Sequence, residues 1–145
     1  MNNENEVLDL ALPMIKKFEG FRSHAYQDSV GVWTVGYGTT RNVTPHTVVT
    51  EEEADHLLRD AASDAYRCVR KAVKVELTAH QAAALVSFVY NLGCGAFKGS
   101  TLLKLINAKD FTGASHEFGR WVHAGHVTLS GLVARRAEEA TVFMA

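Results

Sequence analysis

Residues 18–40, with the sequence FEGFRSHAYQDSVGVWTVGYGTT, mark the point where the chain changes from helix to hairpin. Upstream of them, apolar residues recur every three or four positions, which predicts a helix over residues 5–18. This helix should end at Glu19 and Gly20. Pro13 should bend it or break it before its last turn, because proline lacks the backbone donor of a helix interior. The architecture therefore depends on the residues that come after Glu19.

Strand-forming residue types dominate after the helix and predict two short strands, near 23–28 and 32–37. The tetrapeptide between them, DSVG, places Asp28 and Gly31 at the first and fourth positions of a type I turn. The two strands should therefore fold back on each other. Residues 39–42 should continue into a third short strand or a loop.

Three polar residues of this region are placed as a catalytic group would be. Asp28 follows Glu19 by nine positions, and Thr34 comes six later. Two carboxylates and a hydroxyl can act as acid, base and water holder, which is the equipment for cutting a glycosidic bond. The negative end of a helix disfavours a charged glutamate and so favours the protonated form that an acid needs. Residue types alone fit an ordinary hairpin with an acidic turn equally well.

The remainder of the chain is predicted to be helical. Capping-box patterns, TEEE from Thr50 and TAHQ from Thr78, predict helices over residues 51–73 and 79–91. The second of these is polar on almost no face, so we expect it to be the central helix of a larger lobe. After a break at Gly93-Cys94-Gly95, short helices are predicted near 100–108, 110–118 and 130–142.

These elements predict an α+β fold in a single domain spanning residues 1–145. Its small β-rich lobe should comprise residues 18–48, and its larger, all-helical lobe residues 1–17 and 49–145. A chain of 145 residues suits one domain and buries enough surface to need neither a metal nor a disulfide for stability.

Composition narrows the function classes. The chain is 47% hydrophobic and 21% charged with a net charge of −1, which is typical of a soluble globular protein and argues against bulk attraction to nucleic acid. No stretch approaches the ~20 apolar residues of a membrane span. The first ten residues are polar and acidic, so we expect no secretory signal and a chain made in the cytoplasm.

The two cysteines, Cys68 and Cys94, form no CxxC motif, and no histidine spacing suggests zinc. We expect two reduced, buried thiols, because disulfides are rare in cytosolic chains.

Three separated motifs, in the same order, resemble the phage-type lysozymes, glycoside hydrolase family 24. They are FEG…D…GVWTVGYG over residues 18–38, FVYNLG and FKGSTL over 88–93 and 97–102, and GLVARRAE over 131–138. Members of this family are endolysins that hydrolyse bacterial peptidoglycan. One departure is Thr39, which stands where the family often has a histidine of mainly structural role.

The resemblance implies a lysozyme-like fold with the active-site cleft between the two lobes. It implies Glu19 as general acid, Asp28 as the base or water-orienting carboxylate, and Thr34 as the holder of the attacking water, with inversion at the anomeric carbon. The bond cut would be the β-1,4 link between N-acetylmuramic acid and N-acetylglucosamine. Carried over by position, the expected sugar contacts are Gly38, Thr40, Tyr90, Asn91 and Ser100.

The environment of Glu19 is left open by the sequence. An apolar cleft would help this side chain keep its proton near neutral pH. Arg135 or Arg136 beside it would favour the charged form instead. The sequence does not decide between these opposing effects.

The resemblance implies no cofactor and no metal, and a monomer is the default expectation. It also implies a holin that perforates the membrane, so that the enzyme stays in the host cytoplasm until perforation and then reaches the periplasm and cell wall. We expect neither nucleic-acid binding nor stable membrane insertion.

Three alternatives remain. A lytic transglycosylase uses one catalytic glutamate and leaves an anhydro sugar, whereas the Asp28–Thr34 pair favours water as the nucleophile. A non-catalytic glycan-binding module would not need both carboxylates. A helical DNA-binding domain could be built on Arg120, Arg135 and Arg136, but the near-zero net charge argues against it.

Overall fold

The computed structural model describes residues 3–145, and its first element is a helix, α1, spanning Glu4–Glu19. Asn3 caps it, since its Oδ1 accepts the Glu6 N–H at 2.8 Å. The helix runs through Pro13 without interruption, so the predicted break does not occur. One missing backbone bond is tolerated here because the apolar face of α1 is buried on both sides of the proline.

The predicted hairpin is present. Strand β1 spans Arg22–Gln27 and pairs antiparallel with β2, Trp33–Gly36. The turn closes where the Gly31 N–H donates to the Asp28 carbonyl at 3.0 Å, and Gly31 has the positive φ of 86° that such tight loops require. No third strand forms over residues 39–42. The hairpin lies within residues 18–48, the segment predicted to be β-rich.

Two long helices begin at the predicted capping boxes, α2 over Glu51–Ala72 and α3 over Ala79–Leu92. At the first, Thr50 Oγ1 accepts the Glu53 N–H at 3.1 Å, and the Glu53 carboxylate accepts the Thr50 N–H at 2.9 Å. The box at Thr78 makes the same two bonds. Local side-chain chemistry therefore sets where both helices start.

The C-terminal half contains four further helices: α4 Cys94–Lys98, α5 Thr101–Asn107, α6 Phe111–Glu117 and α7 Ser130–Phe143. A 3₁₀ turn and a small hairpin lie between the last two: Phe118–Arg120, then β3 His123–Ala124 and β4 Val127–Thr128. The prediction that the larger lobe is all-helical is therefore wrong at this hairpin. Strands of two residues are too short to produce a period-two pattern, which is why the sequence does not indicate them.

Helix α3 is the centre of the core, as predicted. Every residue from 82 to 89 is buried, and the helix packs against α1, α2 and α7. Its 14 residues fall short of the ~20 that a bilayer crossing needs. Over residues 3–145, no helix has both the length and the apolar character of a membrane span.

The two cysteines are joined in a disulfide, with 6.0 Å between the Cα atoms of Cys68 and Cys94. The expectation of two reduced thiols is therefore wrong for this structure. Cys68 lies in α2, and Cys94 opens α4, a helix at the position where the sequence predicts a break. Their proximity depends on α4 packing against α2, and no local pattern indicates that contact.

We predict that removing the disulfide destabilises the fold. The crosslink joins residues 26 positions apart, and the chain-entropy treatment assigns about 3–4 kcal/mol to a loop of that length. Thermal unfolding followed by circular dichroism should therefore show a lower Tm in reductant, by about 10 °C for a protein of this size.

The Cys68→Ser/Cys94→Ser double variant is the control. Its Tm should match that of the reduced parent and should not respond to reductant. Equal melting of oxidised and reduced parent protein would contradict the prediction.

Candidate active site

Glu19 is the last residue of α1, and its carboxylate is held on two sides. Its Oε2 lies 2.7 Å from Arg135 Nη1, and the Glu19 side chain is only 19% exposed. On the other side, the backbone at Gly38 lies so close that a Cβ there would sit 2.5 Å from Glu19 Oε1. Gly38 also has a φ of 86°, which favours glycine. Gly38 thus makes room for the glutamate.

Asp28 is oriented by its own turn. Its Oδ1 accepts the backbone N–H groups of Val30 and Val32, each at 2.9 Å. Two such bonds fix the side-chain rotamer. Both of these N–H groups donate to Oδ1, so Oδ2 can accept a hydrogen bond from a bound water.

Thr34 is buried in β2, opposite Tyr26 of β1. Its hydroxyl donates to the Val32 carbonyl at 2.9 Å. Because its one proton is used in that bond, Oγ1 can only accept hydrogen bonds from a further neighbour. Asp28 and Thr34, one on the turn and one on the strand that leaves it, are therefore both acceptors.

Two tyrosines, Tyr26 and Tyr90, interact electrostatically with Glu19. Burial raises the pKa of Tyr26 above its usual value, and the charges of Glu19 and Asp28 raise it further, so this phenol lies near both carboxylates. Burial also raises the pKa of Tyr90, again with a contribution from Glu19. The Tyr90 hydroxyl donates to the Tyr37 carbonyl at 2.6 Å and so ties α3 to the loop after β2. Both phenols remain neutral at physiological pH.

A groove of about 290 Å³ lies between the loop after β2 and helices α2, α3 and α4. Three of the predicted sugar contacts, Gly38, Thr40 and Tyr90, line it. Cys68 and Cys94 line it too, so the disulfide joins two helices of its wall.

The other two predicted sugar contacts have structural partners. Asn91 Oδ1 accepts a hydrogen bond from Arg136 Nη2 at 2.8 Å. Ser100 is buried, and its hydroxyl donates to the Phe97 carbonyl at 2.6 Å and accepts the Leu103 N–H at 3.1 Å. Neither residue lines the groove. Ser100 is the N-cap of α5, and its role in sugar binding stays a prediction.

The sequence did not predict the buried ion cluster next to Glu19, which consists of Arg135, Arg136 and Glu139. Arg135, Arg136 and Glu139 of α7 are almost completely buried, although a charged run in a helix normally faces solvent. Burial lowers the pKa of Arg136 to about 10 and raises that of Glu139 above its usual value. One sequence signal does point to it: Ser87 is a hydroxyl within the apolar run of α3, and a buried polar group needs a partner.

The arrangement brings a carboxyl group held by Arg135 together in one site with two hairpin oxygens that can accept hydrogen bonds from water. This is the chemistry of acid–base hydrolysis. Among residues 3–145 there is no group of three or more His, Cys, Asp or Glu side chains placed to hold a metal ion.

Comparisons with known proteins agree with this chemistry. The family model described as Phage lysozyme matches residues 16–139. The endolysin of Acyrthosiphon pisum secondary endosymbiont phage 1 is 40% identical over 94% of this chain and 97% of its own length. The endolysin of Bacillus phage B103 is 44% identical over 90% of this chain, which spans only 51% of that protein.

Among solved structures, the muramidase domain of SpmX from Asticaccaulis excentricus aligns with a TM-score of 0.86 and 35% identity, covering 99% of this chain and 97% of that one. The lysozyme-like α+β fold and the family resemblance inferred from the sequence are both confirmed by these matches. The chain belongs to the phage lysozyme family and is a glycoside hydrolase.

Proposed function

We propose that this protein is an endolysin that hydrolyses the β-1,4 bond between N-acetylmuramic acid and N-acetylglucosamine in peptidoglycan, with inversion at the anomeric carbon. The observation that carries the mechanism is the pair of acceptors at Asp28 and Thr34. The two backbone donors that orient Asp28 leave its Oδ2 for water, and Thr34 Oγ1 has already committed its proton to Val32. A water between them would donate both its protons and aim a lone pair at the sugar.

The proposed reaction is balanced in bonds and protons. Glu19 gives its proton to the glycosidic oxygen as the bond to the anomeric carbon breaks. The water attacks that carbon from the opposite face, and its proton passes to Asp28. Glu19 is left ionised beside Arg135, which stabilises that charge, and proton exchange with solvent resets both carboxylates.

Substrate binding is proposed to use the groove that reaches Glu19 through Gly38, although Glu19 itself is not part of its lining. Gly38, Thr40 and Tyr90 line it, and the loop after β2 forms one of its walls. Asn91 lies outside this lining, where Arg136 donates to its Oδ1, and its contact with sugar stays a prediction.

We predict that the Glu19→Gln variant loses at least a hundredfold in the rate of clearing peptidoglycan suspensions, since a positioned acid or base contributes about 10²–10⁴. Asp28→Asn should lose a similar factor. Its amide keeps an Oδ1 acceptor for the Val30 and Val32 N–H groups, so the turn should survive. Turbidity and zymography measure both.

Glu52→Gln is the matched control, because Glu52 is an exposed carboxylate in the first turn of α2. Its activity should stay at the parent level. If the parent protein left wall suspensions turbid at micromolar concentration, a non-catalytic binding module would be the better interpretation.

We predict that the products carry reducing ends and no anhydro-muramic acid. A water held by Asp28 and Thr34 adds one solvent oxygen to each cut, whereas a transglycosylase adds none. Mass spectrometry of the muropeptides from a digest in H₂¹⁸O should show the heavy oxygen at the new ends. Anhydro ends would instead show a lytic transglycosylase.

We also propose that the enzyme acts as a monomer and reaches the wall from the host cytoplasm through a membrane opened by a holin. The support is the endolysin name of its relatives and the location of peptidoglycan outside the membrane. Cells expressing the protein alone should grow on and should lyse within minutes when a holin is co-expressed or chloroform is added. Prompt lysis without either would refute the proposed release.

A further inference from the structure

Glu139 is a fully buried carboxylate that contacts no part of the groove. Its Oε2 accepts a hydrogen bond from Ser87 Oγ at 2.6 Å and weaker ones from Arg135 Nε at 3.4 Å and Arg136 Nη2 at 3.2 Å. Its Oε1 lies 2.9 Å from Arg136 Nε. Burying a charge costs several kcal/mol unless partners compensate, so a buried carboxylate with two arginines needs a reason.

The two arginines of α7 share Glu139 as a partner, but each also contacts a different residue outside α7. They lie four and three residues before Glu139, so both guanidinium groups reach its carboxylate from one helix. From there Arg135 extends to Glu19 at 2.7 Å, and Arg136 extends to Asn91 at 2.8 Å. Glu139 thus orients Arg135 and Arg136, and these in turn contact Glu19 and Asn91.

Other ionisable groups lie around Glu19, and among them Arg22 on β1 stacks over the Tyr26 ring, 4.3 Å from its centroid. Tyr26 on β1 and Tyr90 on α3 are neutral phenols, and Asp28 on the turn is a second negative group near Tyr26. The lysines before Glu19 on α1 each pair with a carboxylate of another helix: Lys16 with Asp55 and Lys17 with Glu138.

The cation in direct contact with Glu19 belongs to α7. Arg135 and Arg136 contribute two positive charges, and Glu139 offsets one of them. Without that offset, Glu19 would face two buried cations, and a nearby positive charge favours the charged form of a carboxyl group.

We propose that Glu139 is a positioning residue of the active site, which orients Arg135 and Arg136 and balances their charge, so that Arg135 holds Glu19 in place without an uncompensated second cation beside it. The proposal deepens the assignment of Glu19 as the general acid and rests on it. Glu139 acts through the arginines and does not touch the sugar.

The pH profile of wall hydrolysis tests this proposal. In the Glu139→Gln variant, the uncompensated arginines should make Glu19 lose its proton more readily. The alkaline limb of the activity profile should then move to lower pH by about half to one unit, while the acid limb stays in place. A purely structural ion cluster would lower stability and total activity but would leave the limb where it was, and that result would overturn the proposal.

Two variants of α7 complete the experiment. Glu139→Asp keeps the charge but retracts the carboxylate, so its alkaline limb should stay at the parent pH while the rate falls. Glu138→Gln removes one negative charge from the neighbouring position, where the partner of Glu138 is the exposed Lys17. Solvent screens that site, so neither limb should move. A shift in Glu138→Gln equal to that in Glu139→Gln would overturn the proposal.

If Glu139→Gln fails to fold, Ser87→Ala replaces it. Losing the 2.6 Å hydrogen bond makes the Glu139 carboxylate easier to protonate, so the alkaline limb should move in the same direction by a smaller amount. An unmoved limb in a folded Ser87→Ala variant would then decide against the proposal.

The two hypotheses fail in different ways. Activity that survives Glu19→Gln would overturn the proposed acid, whatever Glu139 does. Loss of activity in Glu19→Gln together with an unmoved limb in Glu139→Gln would overturn the positioning role alone.

Discussion

The ion pair between Glu19 and Arg135 is the interaction on which the site depends. It joins the last residue of the first helix to the last helix, two elements separated by most of the chain. The Arg135 side chain is 4% exposed, so solvent does little to screen the pair. Glu19 is therefore fixed in position by a cation, which in the proposed reaction would also stabilise the charge that Glu19 acquires on donating its proton. The proposed role of Glu139 is to balance the positive charge of that contact.

The other half of the site is local. Asp28 and Thr34 belong to one hairpin, and their orientations come from hydrogen bonds to Val30 and Val32 of that hairpin. A rigid hairpin can place two acceptors accurately without help from the core. The proposed chemistry thus combines a long-range ion pair, which positions the proposed acid Glu19, with a short-range turn, which orients the two oxygens proposed to hold the water.

Between these two halves, Tyr90 links the central helix to the loop after β2, and the Cys68–Cys94 disulfide joins α2 and α4 in the groove wall. Both contacts restrain the groove from the helical side. Gly38 restrains it from the other side, because its bare backbone lies where any side chain would collide with the Glu19 carboxylate. Because Gly38 has no side chain, the loop after β2 can lie close to Glu19.

The sequence by itself determined the hairpin, both capping boxes and the apolar central helix, since each depends on residues within a few positions of one another. The spacing of Glu19, Asp28 and Thr34 is also local, but it indicated the chemistry only through the resemblance to the phage-type lysozymes. Only the tertiary structure decided which arginine pairs with Glu19, that Glu139 is buried, and that Cys68 meets Cys94. These contacts join residues from distant parts of the chain or depend on which face of a helix the core covers, and neither follows from local sequence because burial and proximity are set by how the helices pack.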